Sequence, residues 1–229
     1  MVQGQTPELI ETLAAGVAHE VRNPLNSVQI NLSILEQELR ESLLDRDAHA
    51  FHVLRKIAGE IKRLDDFVSE FLRFARPPRL NVESVRVRPL IEDLAAFIAP
   101  ECSKNGVTLE IDHRGPESSS LDGFQLKQAL LNLVLNSLQA TRPGGHIVLR
   151  TTEEKGCLLV AVADDGDGMS ADTRERAATP FFTTREGGTG LGLPLVQRIV
   201  DQHGGSISIS SAPGEGTTVT MVFPAPTEA

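Results

Sequence analysis

The sequence predicts an α+β chain of two domains, an antiparallel two-helix hairpin followed by a mixed domain of strands and helices. Three observations carry this. Apolar residues recur by threes and fours up to Phe71, Arg76-Pro77-Pro78-Arg79 then breaks the pattern, and shorter, varied apolar runs follow. At 229 residues the chain is long enough for two domains that each bury a core.

The first stripe runs Leu9, Leu13, Val17, Val21, Leu25, Val28, Leu32, Leu35 and Leu39. A second follows the polar break around Leu44 to His49, at Leu54, Ile57, Ile61, Leu64, Val68 and Phe71. Both stripes are narrow and coiled-coil-like. One hairpin cannot cover both, so the expected solution is a four-helix bundle formed by a homodimer. The two prolines end the second helix, because proline lacks an amide donor and disfavours helical geometry in the residue before it. This places the hairpin at 1–76, a linker at 77–84 and the second domain at 85–229.

In that second domain the pattern predicts a short strand near Val85 to Val87, a helix from about Pro89 to Ser103 and a strand from Val107 to Ile111. A helix should span roughly Gly123 to Ala140. Strands should follow at Ile147 to Thr151 and Cys157 to Ala163, the latter apolar enough to be buried on both faces. A helix near Leu191 to His203 stops at Gly204-Gly205, and a hairpin, Ser206 to Ser211 and Thr217 to Phe223, closes the chain.

Composition narrows the function. The chain has no Trp, no Tyr and nine Phe, which argues against a large aromatic recognition surface, and its formal net charge of -9 argues against general affinity for nucleic acid or anionic membrane. Cys102 and Cys157 lack the spacing of a zinc or redox site and read as reduced thiols. No apolar run of membrane-spanning length and no signal peptide is visible, so the expected location is the cytoplasm.

Three clusters in the second domain carry chemistry that a core does not require. In LNLVLNSLQA, residues 131 to 140, Asn132 and Asn136 stand one helical turn apart on one face; their amides can ligate a hard cation or meet phosphate, or simply lie on the helix surface. In VADDGDGM, residues 162 to 169, Gly166 and Gly168 permit a tight turn and Asp164 can accept from an exocyclic amine; an acidic turn or a calcium loop reads equally well. GGTGLGL, residues 187 to 193, is a glycine-rich loop entering a helix, whose exposed amides form a phosphate cradle. It lacks the Gly-Lys-Ser/Thr ending of a Walker loop and the preceding strand of a dinucleotide site. Between the last two clusters, ATPFFTTREGG, residues 178 to 188, is either a lid bringing Arg185 toward phosphates or an ordinary surface loop.

In order and spacing, these clusters resemble the N box, the aspartate-glycine box, the phenylalanine box and the second glycine box of the sensor histidine kinases. That family belongs to the wider superfamily of gyrase, heat-shock chaperone and mismatch-repair ATPases. The resemblance runs from about Glu8 to Pro224. It implies an α/β sandwich holding ATP between a helical layer and a lid that includes Phe182, Thr184 and Arg185. It also implies that Asp164, beside Gly166 and Gly168, reads the adenine amine, that Asn136 ligates Mg2+, and that Asn132 and the amides around Gly188, Gly190, Leu191 and Gly192 face the phosphates. Hydrolysing relatives typically carry a water-activating glutamate at the position of Asn132. An asparagine cannot accept a proton at neutral pH, so the phosphate is kept for another acceptor. Gln139 departs from the family, where many members have a lysine; Arg142 or Arg185 is then the candidate replacement for that charge.

AHEVRNP, residues 18 to 24, resembles the phosphoacceptor box of the same family, with His19 as nucleophile. A reference pKa of about 6.5 makes the neutral imidazole available near pH 7. The family implies Glu20 as the group handling the other ring proton and Asn23 as the residue orienting water when the partner is dephosphorylated. Pro24 removes the amide bond to the Glu20 carbonyl and crowds it, so a kink is expected beside the nucleophile. The implied activity is ATP-dependent phosphorylation of His19, followed by transfer to an aspartate on the receiver domain of a separate response regulator. Either the chain is a catalytic fragment of a protein with an upstream sensor, or it takes its signal from another protein. An ATPase, a serine-protein kinase of the same superfamily and a nucleotide-binding pseudokinase are the alternatives.

Overall fold

A computed structural model describes residues 25–26, 28–37, 40, 48–75, 79–185 and 188–224. The chain divides into two compact units, Met1–Pro78 and Arg79–Ala229.

In the first unit, residues 25–26, 28–37 and 40 are helical, and helix α1 spans Ala48–Ala75. Seven-residue steps organise α1. Leu54, Ile61 and Val68 are buried, while Ile57 and Leu64, which alternate with them in the same seam, are 42% and 49% exposed. Val28, Ile30, Ile34 and Leu35 are exposed in the preceding helical segment. Single-chain packing thus covers only part of the apolar surface of this unit.

The second unit opens with strand β1 (Glu83–Arg86) and helix α2 (Val87–Lys104), followed by β2 (Thr108–His113), β3 (Ser118–Leu121) and α3 (Gly123–Ala140). Then come β4 (His146–Glu154), β5 (Cys157–Asp164), the short α4 (Ala171–Arg176), α5 (Gly192–Gln202), β6 (Ser206–Ser211) and β7 (Thr217–Phe223). β1 pairs antiparallel with β3. The other five strands form one sheet in the order β2-β4-β5-β7-β6, with β2 parallel to β4 and every other pair antiparallel.

Helices α2, α3 and α5 cover one face of this sheet, and their apolar stripes interlock with it. Ile91, Leu94 and Ile98 of α2, Leu126, Leu130 and Leu133 of α3, and Val196, Ile199 and Val200 of α5 share a core with the inward residues of β4, β5 and β7. α3 is the hub, contacting α2, α5, β4 and β5. Asp122 caps it by accepting from the Gln125 amide at 3.0 Å, the bond expected of an aspartate at a helix start.

β5 differs from the expectation of burial on both faces: its residues alternate between buried and half-buried. The sheet is a two-layer structure with helices on one side, so Leu158, Val160 and Val162 face the core while Leu159 and Ala161 stand on the more open face. β3 and α4 are elements the apolar pattern did not announce. β3 is mostly serine and α4 carries no buried residue, so neither has a stripe to read.

Candidate functional site

The sequence-selected residues of the second unit converge where the C-terminal half of α3, the end of β5, the loop after α4 and the start of α5 meet. Asp164 is the last residue of β5, and its carboxylate is held from three directions. The Ser137 hydroxyl donates to Oδ2 at 2.7 Å, while the Gly166 and Thr217 amides donate to Oδ1 at 3.1 and 3.2 Å. Each carboxylate oxygen accepts about two hydrogen bonds. Oδ1 is therefore filled, and Oδ2 keeps one place for a ligand donor.

Gly166 makes this geometry possible. A side chain there would bring its first carbon within 2.5 Å of the Ala140 carbonyl oxygen and 2.9 Å of Asp164 Oδ1. The turn is pressed onto the end of α3, where the Asp167 amide also donates to Ala140 O at 3.1 Å. Gly168 lies further along the same turn, beneath the carbonyls of Ala212 and Gly216. Arg142 forms an exposed ion pair with Asp167 at 2.7 Å, which ties the loop after α3 to this turn but contributes little energy in water.

Asn132 and Asn136 are both half-buried on α3. Arg185 reaches the second of them. Its guanidinium donates to Gln139 Oε1 and to the Asn136 carbonyl, both at 2.8 Å, and to Asn136 Oδ1 at 3.4 Å. Desolvation of the guanidinium lowers its pKa from the ordinary arginine value, opposed by the charge of Asp164. An arginine so placed remains a cation at neutral pH. Of the two arginines that the sequence offers in place of a lysine, Arg185 stands against Gln139, while Arg142 pairs with Asp167 at the surface.

The loop from Phe181 to Gly190 is tied at its base. The Phe181 amide donates to the Gly190 carbonyl at 3.0 Å, and Phe181 adopts φ +65°, a left-handed conformation that costs a bulky residue energy. Gly190 has φ +68°, and a side chain there would meet the Phe181 carbonyl carbon at 2.5 Å. Phe182 is half-buried under the Arg176 guanidinium, 4.1 Å from its ring centre. Thr184 is exposed, and the Gly188 amide donates to the Arg185 carbonyl at 3.2 Å. Leu191 is fully buried and anchors the start of α5, whose first residue is Gly192. No side chain caps this helix, which leaves its first amides free to meet an anion.

His19, Glu20, Asn23 and Pro24 lie outside the described residues. Ser137 and Thr217 are site residues that the sequence reading did not select. Ser137 had a faint signal, a hydroxyl among leucines immediately after Asn136; Thr217 acts through its backbone and had none.

Residues 9–79 match the profile of the His Kinase A (phospho-acceptor) domain, and residues 121–227 match that of the histidine kinase-, DNA gyrase B- and HSP90-like ATPases. The sensor histidine kinase ZraS of Klebsiella oxytoca is 38% identical over 93% of this chain and 45% of that protein. Sporulation kinase C of Bacillus subtilis is 31% identical over 97% of this chain and 50% of its own length. The chain thus spans about half the length of these curated relatives. Among solved structures, full-length ShkA in complex with AMPPNP superposes with a TM-score of 0.78 at 26% identity, covering 98% of this chain and 47% of that one. The histidine kinase ThkA in complex with the response regulator protein TrrA gives 0.68 at 25% identity, over 93% of this chain and 61% of that one. With both domain profiles matched in order and sensor kinases aligned along nearly its whole length, the chain belongs to the sensor histidine kinase family.

Proposed function

We propose that this chain is the core of an ATP-dependent protein-histidine kinase, which phosphorylates its own His19 and passes the phosphoryl group to an aspartate on a separate response regulator. The observation that carries the nucleotide half is the Asp164 carboxylate, with Oδ1 filled by two amides and one place left on Oδ2. That place suits the exocyclic amine of adenine. Asn136 and the uncapped start of α5 then lie on the phosphate side, with Asn132, Gly188, Gly190 and Gly192.

A magnesium ion fits the donor set. Asn136 Oδ1 is a neutral oxygen facing Arg185, and magnesium is commonly held by few protein oxygens together with phosphates and water. Bound there, the ion would neutralise phosphate charge. Arg185 holds Asn136 Oδ1 only at 3.4 Å and is anchored by its 2.8 Å bonds to Gln139 and the Asn136 carbonyl, so that amide oxygen could serve the ion without loss of the arginine's place beside the site.

The neutral imidazole of His19 attacks the terminal phosphorus: a nitrogen–phosphorus bond forms, the bond to the ADP oxygen breaks, and Glu20 takes the proton from the other ring nitrogen. Asn23 orients water when the regulator is dephosphorylated. We assign residues 1–76 to dimerisation and phosphotransfer, 77–84 to the linker and 85–229 to nucleotide binding, with the cytoplasm as the site of action. The ThkA–TrrA complex supports a receiver domain as partner, and the exposed apolar positions of the first unit support a homodimer. No described helix is long and apolar enough to cross a membrane.

ADP formation tests this reading. With Asn132 in place of a water-activating base, ADP should appear in a burst bounded by the number of His19 side chains and then slow, and His19→Gln should abolish the burst. Continuous ADP production unaffected by His19→Gln would make the chain an ATPase.

A further inference from the structure

Ser137 is 6% exposed on the last turn of α3, directly after Asn136, and its hydroxyl is spent on Asp164 Oδ2. We infer that Ser137 is a specificity-determining positioning residue, which fixes the Asp164 carboxylate so that its one open place accepts a 6-amino purine nucleotide and rejects a 6-oxo one. This rests on the nucleotide reading above.

Three donors from three elements together hold the carboxylate plane: Ser137 from α3, Gly166 from the turn after β5 and Thr217 from β7. The two amides both act on Oδ1, so they fix one oxygen and leave the group free to swing about it. Ser137 alone fixes the second oxygen. Its own backbone is held in turn, since its carbonyl accepts from both the Thr141 amide at 2.9 Å and the Thr141 hydroxyl at 2.8 Å. The hydroxyl therefore works from a rigid turn, as a preset acceptor geometry requires.

With the carboxylate so held by three donors, its open place is an acceptor. An amine at purine position 6 supplies the missing proton. A carbonyl there places oxygen against oxygen with no proton between, and rejection of this kind is stronger than the loss of an apolar contact because polar groups are left unpaired. Without the Ser137 hydroxyl, Oδ2 loses its internal donor, the carboxylate can turn or take up water, and the two purines become less distinct.

The test compares ATP with inosine triphosphate, which differs at that position. Equilibrium binding of each is measured on the full chain for the parent, Ser137→Ala, Ser137→Thr and Asp164→Asn, together with thermal midpoints without nucleotide. Ser137→Ala should weaken ATP binding by about 3- to 10-fold, the effect of losing one ordinary hydrogen bond. It should weaken inosine triphosphate binding less, so the preference falls at a nearly unchanged midpoint. Ser137→Thr, which keeps the hydroxyl, should retain the preference. A purely structural role would lower the midpoint and weaken both nucleotides equally. If Asp164→Asn removes the preference while Ser137→Ala keeps it, the role of Ser137 is wrong and the nucleotide site stands. If Asp164→Asn also leaves the preference intact, the site reading itself fails, and this inference with it.

Discussion

At the scale of single residues, the second unit works through backbone positions as much as through side chains. Asp164 stands out in the sequence only through the order of the motifs around it, since VADDGDGM alone reads equally well as an acidic turn or a calcium loop. Its two amide donors do not stand out at all, since any residue but proline carries an amide and only the fold decides where it points. Gly190 shows the same limit. Its place in a glycine-rich run was plain, but its φ of +68° and the closeness of Phe181 depend on how the loop folds back. Gly190→Ala should therefore act on the loop more than on the core. We expect roughly tenfold weaker ATP binding, from left-handed strain of about 1–2 kcal/mol per L-residue together with displacement of Phe181. Titration calorimetry checks this; unchanged affinity would mean that the loop base plays no part in holding nucleotide.

At the scale of elements, legibility followed apolar periodicity. α3, β6 and β7 have the bounds expected from the sequence, because each has a strong pattern between clear turn signals. β3 and α4 went unseen for want of such a pattern. Ser118–Leu121 is held as a strand by pairing with β1, and Ala171–Arg176 as a helix by the Ser170 cap, whose hydroxyl accepts from the Thr173 amide at 3.2 Å. β5 is apolar as its sequence predicts but covered on one face only, because composition reports burial without saying how many layers a sheet has. The hub role of α3 yields a stability prediction. Leu126 is fully buried in the shared core, so Leu126→Ala should cost about 2–5 kcal/mol, the usual range for emptying such a site. Chemical denaturation of the chain measures it; a loss below about 1 kcal/mol would show that α3 does not organise the core.

At the scale of the whole molecule, the first unit carries the phosphoacceptor profile and the second the ATPase profile, and the proposed reaction needs both. The heptad seam on α1 is half covered, with Leu54, Ile61 and Val68 buried and Ile57 and Leu64 exposed. A second copy is the economical cover for the exposed half. Leu64→Asp should then shift the chain from dimer to monomer in analytical ultracentrifugation while leaving ATP binding by the second unit unchanged; a parent chain already monomeric at high concentration would contradict the bundle. The family was legible from motif order alone, whereas the surroundings of Asp164 needed the fold.

The most direct test of the central claim is incubation with magnesium and terminally labelled ATP, with the parent, His19→Gln and Asp164→Asn compared side by side. The account predicts label on the parent that survives base and is lost in acid, the signature of a phosphohistidine, with none on His19→Gln and sharply less on Asp164→Asn. Acid-stable label, or label undiminished in His19→Gln, would contradict it.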